Sequence, residues 1–261
     1  MSAGLTGYLE EMDRRGLIPT DCLAVCCVGS VARGWSNNTS DYDFNIISST
    51  AWVGEGTPAV SMPLRPGGVP AVALEVDGRR WEIKYWLDAQ VTQMIDKVSW
   101  EQFEAGTSTS KVLTDAEKLF LEQMSTCLTL SGTTWTEACR RRVEESAFRA
   151  FVTTSSLAQA DSSIEDASGQ LTAGDHDSAV LSARQAFGHT VDALLESEGD
   201  FGSHTSKWRA RRLRETRPRA LSFEDYWALE TMRSFDPDDP QAWVKLVIQR
   251  CRDLSMDVEI S

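Results

Sequence analysis

The sequence predicts an α+β protein, with a small β-sheet domain and flanking helices over residues 1–130 and an all-helical C-terminal domain over 131–261. Short apolar runs typical of strands occur only in the first domain, and two of them flank Asp77-Gly78, a strong signal for a β-hairpin. Apolar residues at helical spacing dominate the second domain. They occur in three long stretches, near 135–160, 175–198 and 222–253. The boundary near 130 lies in the polar segment LSGTT.

The predicted sheet domain begins with a helix over residues 5–16, whose apolar residues recur at helical spacing and which ends at Gly16. The apolar run CLAVCCVG follows as a buried strand that ends in a glycine. A second strand, DYDFNII, comes after a short polar connection. The stretch 48–69 is rich in Gly, Pro and Ser and is predicted to be a loop.

The rest of the sheet domain is predicted to contain a hairpin, a further strand and a helix. The hairpin pairs PAVALEV with RRWEIKYWL. KVLTD, at 111–115, is predicted to be a short strand, and Asp115 is predicted to be the N-cap of the helix AEKLFLEQM.

Composition and charge exclude several classes of protein. Of the 261 residues, 41% are apolar and nine each are Trp and Phe, so the chain can bury a sizeable core and is not disordered as a whole. The net charge of −13 argues against a general nucleic-acid-binding protein and against a basic membrane-surface protein. No apolar run reaches the roughly 18–20 residues that a membrane span needs.

The N-terminal segment and the cysteines predict a cytoplasmic protein. The first residues, MSAGLTGYLEEMDRRG, are polar and do not resemble a secretory signal. The six cysteines, at 22, 26, 27, 127, 139 and 251, show no zinc-ligand spacing. We expect free thiols in a reducing compartment rather than a disulfide framework.

The stretch 28–47, VGSVARGWSNNTSDYDFNII, contains the pattern that indicates chemistry. Gly29 permits a tight turn and the close approach of a ligand to the backbone at the end of the first strand. The residues from Ser30 to Arg33 are predicted to open a short helix. Its first N–H groups and the Ser30 hydroxyl would form a cradle for a phosphate group.

Asp41 and Asp43 stand two residues apart at the start of the second predicted strand. Side chains at this spacing lie on the same face, roughly 6.5–7 Å apart along the strand. Two carboxylates on one face repel each other unless a cation lies between them. Because Mg²⁺ is commonly held by one or two carboxylates together with substrate phosphates, the cradle and the carboxylate pair predict Mg²⁺-nucleotide chemistry.

Gly29-Ser30, Gly34 and Asp41-x-Asp43 resemble the signature of the nucleotidyltransferase superfamily typified by DNA polymerase beta. The chain is similar in particular to the small-molecule branch, such as the kanamycin and lincosamide nucleotidyltransferases. The resemblance implies a small mixed β-sheet catalytic domain and a helical domain that closes one wall of the cleft.

The resemblance also implies an activity. A nucleoside monophosphate would pass from an NTP to a hydroxyl or amine of a small molecule, with release of pyrophosphate and with one or two Mg²⁺ ions. ATP is the default donor because it is abundant, and no residue specifies the base. The acceptor would belong to antibiotic modification or to small-molecule biosynthesis.

The family usually adds a third carboxylate from a later strand, and Glu82 in RRWEIKYW is the candidate. Glu82 shares its strand face with Lys84 and Trp86. Glu75, on the partner strand, is the fallback. By resemblance, Glu82 either joins the two aspartates around the metal or takes the proton of the acceptor.

Further residues are candidates for contacts with the substrates. Arg33 and Ser40 flank the motif and are candidate nucleotide ligands. Glu144 and Glu145, which the predicted boundary assigns to the helical domain, are alternatives to Glu82 as the general base.

The helical domain contains a strongly basic segment at 207–219, in which only Glu215 is acidic. One interpretation is that Lys207 contacts the triphosphate from a segment folded over the active site. A second interpretation is a stripe that faces RNA. A third is a solvated helix face that pairs with nearby acidic residues.

Other functions and partners stay open at this point. An antitoxin-like nucleotidyltransferase that modifies or binds a protein partner predicts a stable hetero-complex, although this chain has a helical domain of its own. The charge of −13 disfavours nucleic acid as a partner, and a cationic acceptor such as an aminoglycoside would suit an acidic surface. Both a monomer and a homodimer are compatible with the sequence.

Overall fold

The computed structural model describes residues 2–54 and 59–260. It confirms the α+β class, because a mixed sheet with flanking helices is followed by a helical C-terminal region. All six cysteines lie in the described part of the chain and are free, as expected.

The helices and strands follow the chain in this order. Up to residue 99 they are α1 (Ser2–Arg14), β1 (Cys22–Val28), α2 (Gly29–Ala32), β2 (Tyr42–Ser48), β3 (Ala59–Ser61), β4 (Gly68–Val76), β5 (Arg79–Leu87) and α3 (Asp88–Lys97). Residues 100–146 contain α4 (Trp100–Glu104), α5 (Thr109–Val112), α6 (Asp115–Thr126), β6 (Leu128–Ser131) and α7 (Thr133–Glu145). The remaining elements are α8 (Phe148–Ala173), α9 (His176–Ser197), a 3-10 helix (Ser206–Trp208), α10 (Arg209–Thr216), α11 (Phe223–Glu230) and α12 (Pro240–Ser255).

Contacts within the chain divide it into two units. The first comprises the residues up to Ser99 together with Leu113–Ser146, and the second comprises Trp100–Val112 together with the residues from Ala147 onward. The division therefore lies after α7 rather than at the predicted position 130.

Packing explains where the division falls. Helix α7 belongs with the sheet, since Thr136 Oγ1 and Cys26 Sγ of β1 lie 3.6 Å apart in a buried hydrogen bond. Helix α4 belongs with the helical unit, since the ring of Phe103 meets the ring of Phe151 edge-on, with centroids 5.0 Å apart.

The described strands form one six-stranded mixed sheet in the order β3-β4-β5-β2-β1-β6. Strands β2 and β5 pair in parallel, and the other neighbours pair antiparallel. Val28 of β1 lies opposite Asp43 of β2, and Asp43 lies opposite Glu82 of β5. The sheet thus brings together three segments that are distant in the sequence.

One face of the sheet carries the core of the first unit. Met12 of α1 packs there in a cluster with Phe44, Trp81, Ile83 and Tyr85. The alternation predicted for RRWEIKYWL is confirmed, because these three β5 residues are buried on this face.

The opposite face is covered over only part of its area. Trp86 packs against Phe120 of α6, with ring centroids 4.5 Å apart, and Asn45 donates a hydrogen bond to Gln123 Oε1 at 3.0 Å. Asp43, earlier on the same strand as Asn45, is only half-buried. The face therefore passes from covered to open near Asp43.

The predicted hairpin is confirmed as β4 and β5, joined at Asp77-Gly78. The predicted loop at 48–69 contains the short strand β3, which pairs with β4. Residues 55–58 of that loop lie outside the described residues.

The predicted strand at 111–115 is wrong. Helix α5 ends at Val112, and Thr114, rather than Asp115, caps α6. Thr114 Oγ1 accepts a hydrogen bond from the Glu117 N–H at 3.4 Å, and the Glu117 carboxylate accepts one from the Thr114 N–H at 2.8 Å. This reciprocal pair satisfies two N–H groups at the helix start.

The second unit is helical, as predicted, but two of the predicted stretches are interrupted. The stretch 135–160 is broken at Ser146-Ala147, between α7 and α8, and 222–253 is broken between α11 and α12, where Pro240 begins α12. None of the helices between residues 2 and 260 that the structure describes combines the length and apolarity needed to span a bilayer.

Two cations of the basic segment at 207–219 are buried in the second unit. Arg212 Nη1 donates to Asp192 Oδ1 at 2.8 Å, and Arg209 Nη2 donates to Asp192 Oδ2 at 2.6 Å. Arg212 also lies 3.2 Å from the Asp200 carboxylate. A solvated helix face is therefore the wrong interpretation for Arg209 and Arg212, which join α10 to α9.

Replacing Asp192 by Asn should destabilise the protein by about 3–5 kcal/mol, because two buried guanidinium groups lose their shared carboxylate. Urea denaturation measures the change in the free energy of unfolding. Glu215→Gln is the matched control, since Glu215 pairs with Arg211 at 3.1 Å on an exposed part of α10. An exposed pair of this kind contributes about 0.5 kcal/mol or less, and equal losses in the two variants would contradict the role of Asp192.

Candidate active site

The end of β1 lies against the side chain of Asp43. Gly29 follows Val28 and has a φ of +69°, a conformation that favours glycine. A Cβ atom at Gly29 would lie 2.6 Å from Asp43 Oδ2, closer than a real contact allows. A side chain at this position would therefore have to displace the Asp43 carboxylate, which lies against the turn.

Helix α2 begins at this contact and consists of a single turn. Its N-cap residue, Val28, provides no side-chain hydrogen bond to the first N–H groups of α2, the groups that a helix start leaves without a partner inside the helix. The turn is closed by hydrogen bonds from Arg33 N to Gly29 O at 3.3 Å and from Trp35 N to Ser30 O at 2.8 Å. Trp35 is buried and anchors the segment.

The sheet places Asp43 and Glu82 side by side. The two residues are register partners in the parallel pair β2–β5, and neighbouring strands lie about 4.8 Å apart. Their side chains point to the same face, since facing residues of paired strands share a face. Asp41 is exposed and directly precedes β2.

The carboxylate of Glu82 is bound to an arginine. Glu82 Oε1 lies 2.7 Å from Arg80 Nη2, and both side chains are partly exposed. Within the described ranges, no group of three or more His, Cys, Asp or Glu side chains is arranged to hold a metal ion. The metal contacts predicted for Asp41, Asp43 and Glu82 therefore stay predictions. Glu75 lies opposite Arg80 on β4, so that β5 separates it from β2.

Burial and charge keep the thiol next to the site neutral. Cys27, directly before Val28 in β1, is fully buried. Burial and, after it, the negative charge of Asp43 raise the pKa of the Cys27 thiol to about 12. A neutral thiol at physiological pH acts as a small apolar side chain, in agreement with the assignment of a free cysteine.

Ser40 shapes the loop that leads to Asp41. Its Oγ accepts a hydrogen bond from Asn37 N at 2.9 Å and donates one to Asn37 Oδ1 at 3.2 Å. Arg79 of β5 donates to the backbone oxygen of Asn37 at 3.3 Å. A nucleotide contact of Ser40 stays a prediction, and the same holds for Arg33, whose guanidinium carbon lies 4.6 Å from the centroid of the Trp35 ring.

Two positioning residues were missed at the level of sequence. Asn37 organises the loop, and the SNNTS composition typical of such turns was the available signal. Asn45 is buried two residues beyond Asp43 on β2. It donates a hydrogen bond to Gln123 and accepts one from Trp86 Nε1 at 3.1 Å. The sequence feature that could have identified Asn45 is a polar residue within an otherwise apolar part of the strand.

The remaining predicted residues are distributed over both units. Lys207 is exposed in the 3-10 helix of the second unit, with its Nζ 5.4 Å from the centroid of the Trp208 ring. Its contact with a triphosphate stays a prediction. Glu144 and Glu145 are exposed in the last turn of α7, which belongs to the first unit rather than to the helical one.

Comparisons with known proteins bear on the fold. No family model matches the chain, and no curated protein matches it. Among solved structures, it is similar to a nucleotidyltransferase-like protein from Exiguobacterium sibiricum, with a TM-score of 0.52 and 10% sequence identity over 98% of this chain and 75% of that one. The chain has a nucleotidyltransferase-like fold.

Replacing Gly29 by Ala should cost more stability than the same change at Gly16. Both residues have a φ near +68°, where a side chain costs about 1 kcal/mol or more. At Gly16 a Cβ would meet no atom within 4 Å, whereas at Gly29 it would collide with Asp43. Urea denaturation compares the two variants. Equal losses of unfolding free energy would contradict this expectation and would mean that the Asp43 carboxylate moves away from the added methyl group at no cost.

Proposed function

We propose that this protein is a Mg²⁺-dependent nucleotidyltransferase. It transfers a nucleoside monophosphate, by default AMP from ATP, to a hydroxyl or amine of a small molecule and releases pyrophosphate. The observation that carries the proposal is the position of the Asp43 carboxylate next to Gly29, where a Cβ atom would lie 2.6 Å from Asp43 Oδ2. It joins a backbone turn open to a phosphate with a carboxylate of the kind that Mg²⁺ prefers, in a nucleotidyltransferase-like fold.

The residues at the site fit a magnesium-bound nucleotide. Mg²⁺ needs only one or two carboxylates when substrate phosphates complete its oxygen ligands, and Asp41 and Asp43 would supply them. The ion would neutralise charge on the phosphate oxygens. The first N–H groups of α2 and the Ser30 hydroxyl would hold the triphosphate next to these carboxylates.

The reaction needs a base near the acceptor. The acceptor oxygen or nitrogen forms a bond to the α-phosphorus, the bond to the bridging oxygen breaks, and pyrophosphate leaves with that electron pair. Glu82 neighbours Asp43 on the open part of the sheet face and would accept the proton of the acceptor. Positioning and charge stabilisation would supply most of the rate, as in other phosphoryl transfers.

Thermal unfolding with ATP, GTP, CTP and UTP, each with and without Mg²⁺, tests the proposal. A ligand at about 100 times its dissociation constant raises the midpoint by about 5–10 °C for a chain of this size. We expect this shift for one nucleotide, only with Mg²⁺, and its loss in the variant with both Asp41→Asn and Asp43→Asn.

The matched control is Asp96→Asn, which removes an exposed carboxylate from α3 in the same unit. It should keep the shift. A shift that persists in the double variant, or the absence of a shift with every nucleotide, would count against the proposal. A stable complex with a protein partner would then favour the antitoxin-like alternative.

Glu82→Gln and Glu75→Gln separate the two candidates for the third carboxylate. Each variant removes one carboxylate near Arg80, which lies opposite Glu75 and is paired with Glu82. Only Glu82 is a register partner of Asp43. Loss of a general base should lower kcat for pyrophosphate release by about 10²–10⁴-fold in Glu82→Gln, with water or an added molecule as the acceptor. A larger loss in Glu75→Gln would reverse the assignment.

A further inference from the structure

Lys84 lies on the face of the sheet that carries the candidate active site. It is two residues beyond Glu82 on β5 and is opposite Asn45 of β2 and Ala71 of β4. Its side chain is half-buried. Within residues 2–54 and 59–260, Lys84 forms neither a hydrogen bond nor an ion pair.

Lys84 differs from Lys97, another half-buried lysine of the same unit. The ammonium group of Lys97 is paired with the fully buried carboxylate of Glu117 at 2.5 Å. Withdrawing a charge from water is unfavourable unless a partner of opposite charge compensates for it. Since the fold supplies no such partner to Lys84 among the described residues, a ligand is the group that would supply it.

The neighbours of Lys84 differ on its two sides. On one side, Asn45 and Trp86 are buried beneath α6. On the other side, β4 contributes the small side chains Ala71 and Ala73, and Ala73 is exposed. The described pairing of β3 with β4 ends at Pro70, before these two residues. Lys84 thus stands at the border between the covered and the open part of the face.

The strand order separates the two sides of the site. Gly29, at the end of β1, lies on one side of Asp43, and Glu82 and Lys84, on β5, lie on the other. If the proposed function holds and the triphosphate lies at Gly29, the acceptor approaches from the side of β5 and β4. Lys84 then faces the acceptor rather than the donor.

We propose that Lys84 binds an anionic group, a carboxylate or a phosphate, on the acceptor, and that the acceptor is therefore an acidic hydroxyl or amine compound. This inference rests on the proposed function. The net charge of −13 favours a cationic acceptor, but charges on a protein surface are largely screened beyond about 8 Å at physiological salt. Of the nearby carboxylates on the same face, Glu82 is paired with Arg80, and Asp43 is assigned to Mg²⁺ in the proposed function. A charge-assisted hydrogen bond to Lys84 acts at contact and outweighs the more distant charges.

The reactivity of the Lys84 amine tests the proposal without requiring turnover. Reductive methylation of the full chain is followed at Lys84 and Lys245 by peptide mass mapping, with Mg²⁺ and the α,β-methylene analogue of ATP. Sodium acetate and sodium phosphate are compared with sodium chloride at equal ionic strength. Lys245 is the control, because it is an exposed lysine of α12 in the other unit.

We expect acetate or phosphate to slow methylation of Lys84 severalfold and to leave Lys245 unchanged. Equal rates in all three salts would overturn the proposal. Protection of Lys84 by the nucleotide analogue alone, with no further effect of acetate or phosphate, would also overturn it, since Lys84 would then contact the donor.

An acceptor screen gives a second readout by pyrophosphate release. The acceptors are gluconate, sorbitol 6-phosphate, sorbitol and choline, which carry a carboxylate, a phosphate, no charge and a quaternary ammonium group. We expect an anionic member to be preferred and Lys84→Met to lower its kcat/KM by about tenfold or more, while Lys245→Met has no such effect. A preference for choline, or an anion preference that survives in Lys84→Met, would overturn the proposal.

The two proposals fail in distinguishable ways. The proposed function fails if no nucleotide stabilises the wild-type protein in the presence of Mg²⁺. The assignment of Lys84 fails if the nucleotide binds normally but the Lys84 amine and the Lys84→Met variant respond to anionic and uncharged compounds alike.

Discussion

The parallel pairing of β2 with β5 is the constraint on which the candidate site depends. It places Asp43 beside Glu82, while the antiparallel pairing with β1 places Gly29 against the same carboxylate. A slip of one residue would turn Glu82 into the core and Trp81 into the site. Burial of Trp81 and its neighbours on the opposite face opposes that slip, because each such side chain stabilises the correct register by about 1.5–3 kcal/mol.

The partial cover of the sheet decides where chemistry is possible. Helix α6 buries Trp86 and Asn45. The hydrogen bonds of Asn45 to Gln123 and Trp86 fix the part of β2 that follows Asp43. Beyond this cover, the same face opens at Asp43 and Glu82. Rigid support beneath a group and open space above it are what a side chain needs to meet a substrate in a defined orientation.

The charges close to the site, rather than the net charge of the chain, determine its electrostatic environment. The net charge of −13 includes carboxylates that already form ion pairs, such as Asp192, which lies between two buried arginines. Near the site, Glu82 is paired with Arg80, whereas Lys84 has no partner of opposite charge among the residues that the structure describes. The basic segment at 207–219 likewise divides into buried structural arginines and exposed ones, a distinction that depends on burial and is invisible in a count of charges.

The sequence by itself determined the α+β class, the hairpin at Asp77-Gly78 and the alternation of β5, because each of these depends on the periodicity or turn residues of individual segments. The pattern of Gly29, Ser30, Asp41 and Asp43 within one short segment predicted the site, and the structure places Asp43 next to Gly29. Only the tertiary structure decided that Glu82 rather than Glu75 neighbours Asp43, that α7 packs with the sheet, and that Asp192 is a buried partner of arginine. The predicted strand at 111–115 failed because a reciprocal cap between Thr114 and Glu117 outweighed a weak strand preference. Local periodicity follows from the geometry of one helix or strand, whereas strand register, burial and ion pairing are set by residues distant in sequence that compete to exclude water from the same core.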